Sequence, residues 1–296
     1  MKLKHNYHTY AIITIIFWSL AYVLTRIMMQ SFTAFSLGFL RYFIASCTLV
    51  IVVFLTKMDM PHKTDLPWFI ASGAIGFFFY IIVFNKGAET VSSATGSVVI
   101  ATVPVITALL ARFIYKESLH FLQWIAIVIE FIGVIILTMM NGILSINIGL
   151  LWLFLAVLAL SIYNLFQRKL TKTYTALQSC SFSIFFGTIL LGIFIPGSIK
   201  EISHATSLQI FYMMILGVFS SAIAYVAWSK AFAIATKTSQ VSNYMFITPF
   251  LTSIFGYLLL QEVPDIPTLV GGTVILFGLF LFNFGWKIFD YIYKNN

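Results

Sequence analysis

Two charged side chains lie inside long apolar stretches of this sequence, Arg41 and Glu130. A carboxylate near the centre of a membrane-spanning helix costs on the order of 3 kcal/mol unless it is neutralised or paired. Glu130 is therefore a candidate group for binding and releasing a proton. Two structural alternatives are a hydrogen bond to a neighbouring helix and a helix register that brings the carboxylate to water.

Arg41 offers a different chemistry. A guanidinium binds a carboxylate or phosphate group through two parallel hydrogen bonds, so Arg41 is a candidate for an anionic ligand group. It is also long enough to extend to the membrane interface, or to act as a structural partner between helices.

Two prolines lie within apolar stretches and predict breaks in the helices there. Pro104 leaves the carbonyl of Ile100 without its helical donor, and Pro249 does the same for Met245. At membrane depth such a carbonyl needs another partner, which favours hinges that line a cavity over simple packing kinks. Glu117 and Glu262 follow the same two stretches as gate or cap residues, and we favour the structural role for both.

Aromatic and amide side chains within apolar stretches suit a pocket, which needs apolar walls and a few convergent polar groups. Some of them will instead be aromatic residues of the membrane interface. The predicted binding residues are Trp18, Tyr22, Tyr80, Asn164, Tyr225, Trp228 and Asn243. Cys47 and Cys180 have no metal-binding or redox spacing, so we expect neither a metal nor a cofactor.

The composition indicates that these candidate residues belong to membrane-spanning helices. Only 9% of the 296 residues are charged and 60% are hydrophobic, which is too few charges to cover a soluble domain of this length. Mean hydropathy is +1.00. The net charge of +8 does not indicate nucleic-acid binding, because the basic residues are spread between the apolar stretches.

Ten apolar stretches approach the ~20 residues that a membrane-spanning helix needs. They are Thr9–Met29, Ala34–Thr56, Pro67–Phe84, Ser93–Ile114, Phe121–Met140, Gly149–Gln167, Leu177–Ile195, Leu208–Phe232, Gln240–Leu260 and Pro267–Trp286. With both termini in the cytoplasm, thirteen Lys and Arg residues lie on the cytoplasmic side and three outside, Arg26, Lys86 and Lys200. The positive-inside rule therefore predicts that orientation.

The two halves of the sequence repeat each other. Tyr80, Pro104, Glu117 and Gly133 recur 145 positions later, as Tyr225, Pro249, Glu262 and Gly278. Each half, residues 1–142 and 143–296, contains five predicted spans, and an odd number inverts the second half in the membrane. The sequence thus predicts an all-α integral membrane protein of ten helices in two inverted five-helix repeats, an architecture typical of transporters.

The stretches 86–119 and 230–262 resemble the two copies of a signature of the drug/metabolite transporter superfamily, EamA type. The resemblance covers nearly the whole chain and implies a central cavity lined by both halves, with amino acids, other metabolites or drugs as substrates. Arginine is widespread at the position of Arg41 in that family, which favours its structural role. Glu130 departs from the family pattern, which has an apolar or small residue there.

The resemblance leads us to expect a secondary transporter in the bacterial cytoplasmic membrane, an exporter of amino acids or related metabolites, with protons as the candidate coupling ion through Glu130. The alternative substrate class is drugs and other amphipathic compounds. An intramembrane enzyme lacks its motifs here, such as HExxH or GxSxG, and a channel lacks a charged ring. The expected partners are a small-molecule substrate and the lipid bilayer, with no nucleic acid, and the chain would act as a monomer or homodimer.

Overall fold

The computed structural model describes residues 7–116, 119–139, 147–234, 241 and 243–285, and all regular elements in these residues are helical. Both chain termini lie outside them. We number the main helical segments α1 to α10: α1 Tyr7–Met28, α2 Ala34–Thr56, α3 Lys63–Ala88, α4 Ser93–Ile114, α5 Phe121–Met139, α6 Ile148–Leu170, α7 Ala176–Ile202, α8 Ser207–Ala231, α9 Thr248–Leu260 and α10 Ile266–Phe280.

Seven of these segments, α1 to α4 and α6 to α8, are long and apolar enough to cross a membrane, while α5, α9 and α10 are shorter apolar helices. Large apolar side chains cover the outer surface, for example Phe54 and Phe113, which are 78% and 75% exposed. Such a surface suits contact with lipid rather than water. The chain is a multi-pass membrane protein.

The helices begin where the sequence provides hydrogen-bond acceptors for their first N–H groups. Side-chain oxygens of Thr33, Ser92, Asn147, Thr175 and Asp265 accept from backbone N–H groups in the first turns of α2, α4, α6, α7 and α10. At Thr175 and at Thr206, before α8, a glutamine three residues later completes a capping box.

Several helices depart from regular α-helical geometry. In α4 the α-helical hydrogen bonding stops at Ile100 and resumes at Val103, immediately before Pro104. A 3₁₀ turn, Asn243–Ile247, precedes α9, whose second residue is Pro249. In α3 and α8 the backbone widens to π-helix over Ala74–Phe79 and Ile215–Ile223. Such π segments are frequent at functional sites.

The structure moves two of the expected boundaries. In the expected span from Gln240, a 3₁₀ turn over Asn243–Ile247 interrupts the helix, and α9 begins at Thr248. The span expected to end at Ile195 continues to Ile202, because Pro196 sits in the first turn of a helical piece that follows a short 3₁₀ turn.

Glycines allow two pairs of helices to approach closely. A Cβ at Gly73 of α3 would lie 2.6 Å from the carbonyl oxygen of Ser183 and 2.7 Å from the backbone nitrogen of Gly187, both on α7. Along α5 and α10, Gly133 packs against Ile275, and Gly278 packs against Glu130. Small residues at such crossings let backbones touch, which strengthens packing where no hydrophobic effect drives helices together.

Candidate functional site

A cavity of about 1150 Å³ lies between the helices and opens at one end of the molecule. Its wall is largely apolar, with scattered polar groups, as in most small-molecule sites. Asn164 donates to the hydroxyl of Thr107 at 3.3 Å and so joins α6 to α4 beside the cavity. The polar and charged residues of the wall are Thr48, Thr107, Asn164, Gln167, Arg168, Thr171, Thr175, Ser229 and Lys230.

The open end coincides with the last turns of α6 and α8. Thr171, Tyr174 and Thr175, in the turn between α6 and α7, line the cavity there. The charged residues that line it are Arg168 and Lys230, so within the part of the chain that the structure describes no carboxylate faces the cavity.

A layer of aromatic rings closes the deep end of the cavity. We define the aromatic layer as Trp18, Tyr42, Phe77, Tyr163, Tyr225 and Trp228. The ring centroids of Trp18 lie 5.1 Å from those of Tyr225 and Trp228, and Phe77 lies 5.0 Å from Tyr163. Tyr163 and Trp228 also line the cavity. The layer therefore forms the cavity floor, built from α1, α2, α3, α6 and α8.

Beyond the aromatic layer the molecule is closed. Arg26, near the end of α1, pairs with Glu262 at 3.4 Å and also donates to the carbonyl oxygens of Ala88 and Glu89 at 2.7 Å each. The other carboxylate oxygen of Glu262 accepts from the N–H of Ser93 at 3.1 Å, at the start of α4. We call this set the closed end. It joins α1, α3 and α4 to the residue that follows α9.

Arg41 lies on α2 between the cavity and the closed end. Its side chain is 4% exposed, and its Nε donates to the hydroxyl of Ser221 on α8 at 2.5 Å. The guanidinium lies 5.7 Å from the ring centroid of Tyr42. Arg41 thus sits directly behind the cavity floor.

Glu130 lies away from the cavity, on the face of α5 that packs against α10. It is 3% exposed, and a Cβ added to Gly278 would lie 2.6 Å from its Cγ. Within the described residues its Oε1 has no hydrogen-bond partner. The carboxyl group is therefore buried in a helix contact and does not line the cavity wall.

The other predicted residues lie in different parts of the molecule. Asn164, Trp228 and Pro104 line the cavity, and Trp18 and Tyr225 belong to the aromatic layer. Tyr22 and Tyr80 pack on Phe84 on the closed side of that layer. Pro249 is buried at the start of α9, and Glu262 is part of the closed end. Glu117 and the side chain of Asn243 lie outside the described residues.

Sequence reasoning missed several lining residues that carry a detectable signal. Gln167, Arg168 and Thr171 lie three, four and seven residues after the predicted Asn164, so all four share one face of α6. A polar stripe of this kind within an otherwise apolar helix marks the face turned to water or to other polar groups. Thr48 and Thr107 carry no comparable pattern.

The sequence matches a known family of membrane proteins. The model of the EamA-like transporter family matches residues 6–139 and again residues 147–284. A Bacillus subtilis protein described as the uncharacterised transporter YdfC is 30% identical over 263 residues, which cover 88% of this chain and 86% of that protein.

Two other relatives have more specific descriptions. A probable terminal-alkyne amino-acid exporter of Streptantibioticus cattleyicolor is 25% identical over 92% of this chain and 91% of its own. An S-adenosylmethionine uptake transporter of Rickettsia prowazekii is 23% identical over 86% of this chain and 84% of its own. A protein of known crystal structure shares the fold, with a TM-score of 0.64 over 93% of this chain and 95% of its own at 15% identity.

Proposed function

Because this chain belongs to the EamA-like transporter family, we propose that it is a secondary transporter that exports amino acids or related metabolites across the cytoplasmic membrane. The observation that carries the proposal is the cavity of about 1150 Å³, open at one end and closed at the other by the Arg26–Glu262 pair. A carrier that works by alternating access has this form in one of its two end states.

The charge distribution supports an inward-open state with both termini in the cytoplasm. Basic residues concentrate at the end where the cavity opens: Lys57, Lys63, Arg112, Lys116, Arg168, Lys169, Lys172 and Lys230. Only Arg26, Lys86 and Lys200 lie at the other end within the described residues. By the positive-inside rule the cavity mouth then faces the cytoplasm, from which an exporter loads its substrate.

The packing of α5 on α10 supports two inverted repeats, residues 1–142 and 143–296. Gly133 of α5 faces Ile275 of α10, and Gly278 of α10 faces Glu130 of α5. The two glycines are 145 positions apart in the sequence, and so are Glu130 and Ile275. Equivalent positions of the two halves therefore make the same contact with each other in both directions, as duplication and inversion of one half would produce. The π segments of α3 and α8 also overlap at the same offset. An exchange of conformation between the halves would open the closed end and shut the cavity mouth.

For coupling we propose Glu130 as the proton-binding acid. Because it packs on α10 at Gly278, its proton would act on the contact between α5 and α10 rather than on the solute directly. Pro104 and Pro249 would serve as hinges, since the backbone of α4 and the turn before α9 are irregular there. Small-molecule substrate and lipid bilayer are the partners, and the chain acts as a monomer or homodimer.

A second candidate function is export of drugs or other amphipathic compounds. The cavity volume of about 1150 Å³ slightly exceeds the ~300–1,000 Å³ typical of drug-sized ligand sites, and its wall is mostly apolar. A flux screen that includes amphipathic compounds beside amino acids distinguishes the two substrate classes.

Solute flux in proteoliposomes with an imposed pH gradient tests the function. We expect the wild-type protein to move an amino acid or related metabolite against its gradient, by up to about tenfold per pH unit for one proton per solute. Glu130→Gln should retain downhill exchange and lose accumulation. Glu89→Gln is the matched control, because this exposed carboxylate pairs with Lys86 on its own helix and should leave accumulation unchanged.

Accumulation by Glu130→Gln at the wild-type level would exclude Glu130 as the coupling acid while leaving the transporter intact. Absence of flux for every metabolite and amphipathic compound, with protein correctly inserted, would contradict the proposed function itself.

A further inference from the structure

We infer that Arg41 binds a carboxylate group of the transported solute, and that the aromatic layer packs against the solute's apolar part. The substrate would then be an amphipathic carboxylic acid. This inference rests on the proposed function, since it assigns the substrate class of the same transporter.

The first argument is the incomplete bonding of Arg41. Its guanidinium carries five N–H donors, and in the described residues only Nε donates, to Ser221. Among the described residues no carboxylate lies within 4 Å of Arg41, and the ion pairs Arg26–Glu262 and Lys86–Glu89 do not involve it. A charge that is 4% exposed and has no counter-ion is costly, which makes the site receptive to an anion.

The second argument is the set of neutral donors around the guanidinium. The ring centroid of Tyr42 lies 5.7 Å from the guanidinium, and Tyr225 lies one helical turn beyond Ser221, the hydrogen-bond partner of Arg41 on α8. The indole N–H of Trp18 is buried and has no acceptor in the described part of the chain. Because the ring centroids of Trp18 and Tyr225 lie 5.1 Å apart, these donors lie close to one another and can donate hydrogen bonds to an anion.

The third argument is the short distance between the cavity wall and Arg41. Thr48 of α2 lines the cavity, and Arg41 lies seven residues, about 10 Å, deeper on the same helix. Ser221, which holds Arg41, is adjacent in sequence to Ala222, which also lines the cavity. Both belong to the π segment of α8, so a change of backbone there would move the cavity wall and the arginine's partner together.

The solute's remaining chemistry follows from the same surroundings. Among the described residues Arg41 is the one buried cation, and a single guanidinium balances a monocarboxylate but not a phosphate dianion. Arginine and carboxylate also match as a bidentate pair. The rings of Trp18, Tyr225 and Trp228 suit an apolar or aromatic side group.

Ligand binding to the purified full-length protein, followed by tryptophan fluorescence, tests the site. The probes are L-leucine, L-phenylalanine and hexanoate, each beside its carboxamide, with phenyl phosphate as the phosphate probe. We expect the carboxylates to bind and the carboxamides to bind at least about tenfold more weakly, the difference that one charge-assisted hydrogen bond supplies. Equal binding of acids and amides, preference for phenyl phosphate, or no binding of any carboxylate overturns the inference.

Three variants assign the effect to Arg41. Arg41→Gln should weaken carboxylate binding about 10- to 100-fold and leave carboxamide binding unchanged. Arg41→Lys keeps the charge without the bidentate geometry, so its preference for acids over amides should be intermediate. Lys86→Gln removes a distant positive charge and is the matched control. If Arg41→Gln fails to fold, an unchanged acid preference in Arg41→Lys overturns the inference.

Flux of the same probes separates the two proposals. If the protein transports carboxamides or amines as well as acids, the carrier stands and the carboxylate site falls. If carboxylates bind through Arg41 but nothing crosses the membrane, the site stands and the carrier falls.

Discussion

Gly73→Val is expected to abolish accumulation of folded protein in the membrane. Even the Cβ of the new side chain would lie 2.6 Å from the Ser183 carbonyl oxygen and 2.7 Å from the Gly187 nitrogen, so α3 and α7 would have to separate. Because backbone atoms cannot rotate away as a side chain can, the cost should exceed the ~1–3 kcal/mol of ordinary overpacking. Separation would also break the 2.9 Å hydrogen bond between Ser183 and Ser72. The measurement is the yield of monodisperse protein after membrane extraction.

Gly192→Ala is the matched control. It lies in the 3₁₀ turn within α7, its φ is −56°, and a Cβ there would meet nothing nearer than Ile195 Cδ1 at 3.8 Å. We expect wild-type yield from it. Gly187→Ala should behave like Gly73→Val, because its Cβ would lie 2.5 Å from Phe77 Cβ and 2.9 Å from the Gly73 carbonyl oxygen. Wild-type yields from both α3–α7 variants would show that the two backbones do not touch in the membrane.

The helices were largely predictable because length and apolar content decide which segments enter a membrane. Capping signals such as Thr175 with Gln178 also mark their starts directly. The π segments Ala74–Phe79 and Ile215–Ile223 were not predicted, because no particular residue type marks a π segment in a sequence. The irregular backbone next to Pro104 and Pro249, by contrast, was predicted from the prolines themselves.

The site was harder to predict than the helices. An amphipathic helix reveals its buried face, but α5 is apolar on all sides, so the sequence could not show that Glu130 faces α10 rather than the cavity. Trp18 and Tyr225 were selected by type, yet their roles depend on ring contacts between α1 and α8. Those contacts are set by tertiary packing, which one sequence does not specify.

Glu262→Ala should release the closed end. The substitution removes the ion pair with Arg26, near the end of α1, and the acceptor for the N–H of Ser93, at the start of α4. Both contacts connect these helices to the segment that follows α9. Hydrogen bonds to charged groups contribute about 1.5–3 kcal/mol, although partial exposure of both side chains reduces this value. We therefore expect about a tenfold rise in the population open at this end.

Labelling of a cysteine at the closed end measures that population. Gly96 borders the small gap beside Tyr22 and Arg26, and a Cβ there meets nothing nearer than 3.8 Å, so Gly96→Cys should be tolerated. A membrane-impermeant maleimide should label it about tenfold faster when Glu262→Ala is added. Protein with its native Cys47 and Cys180 alone gives the background.

Glu89→Gln is the control that tests whether faster labelling requires the loss of a contact between helices. Glu89 pairs with Lys86 at 2.8 Å, at the same end of the molecule, but three residues apart on one chain segment. Its side chain bridges no helices, and its carbonyl oxygen, which accepts from Arg26, is unaffected by the substitution. Labelling should therefore stay at the Gly96→Cys rate. Equal acceleration by both variants would mean that loss of negative charge opens this end. An acceleration confined to Glu262→Ala would identify the bond across helices as the contact that alternating access has to break.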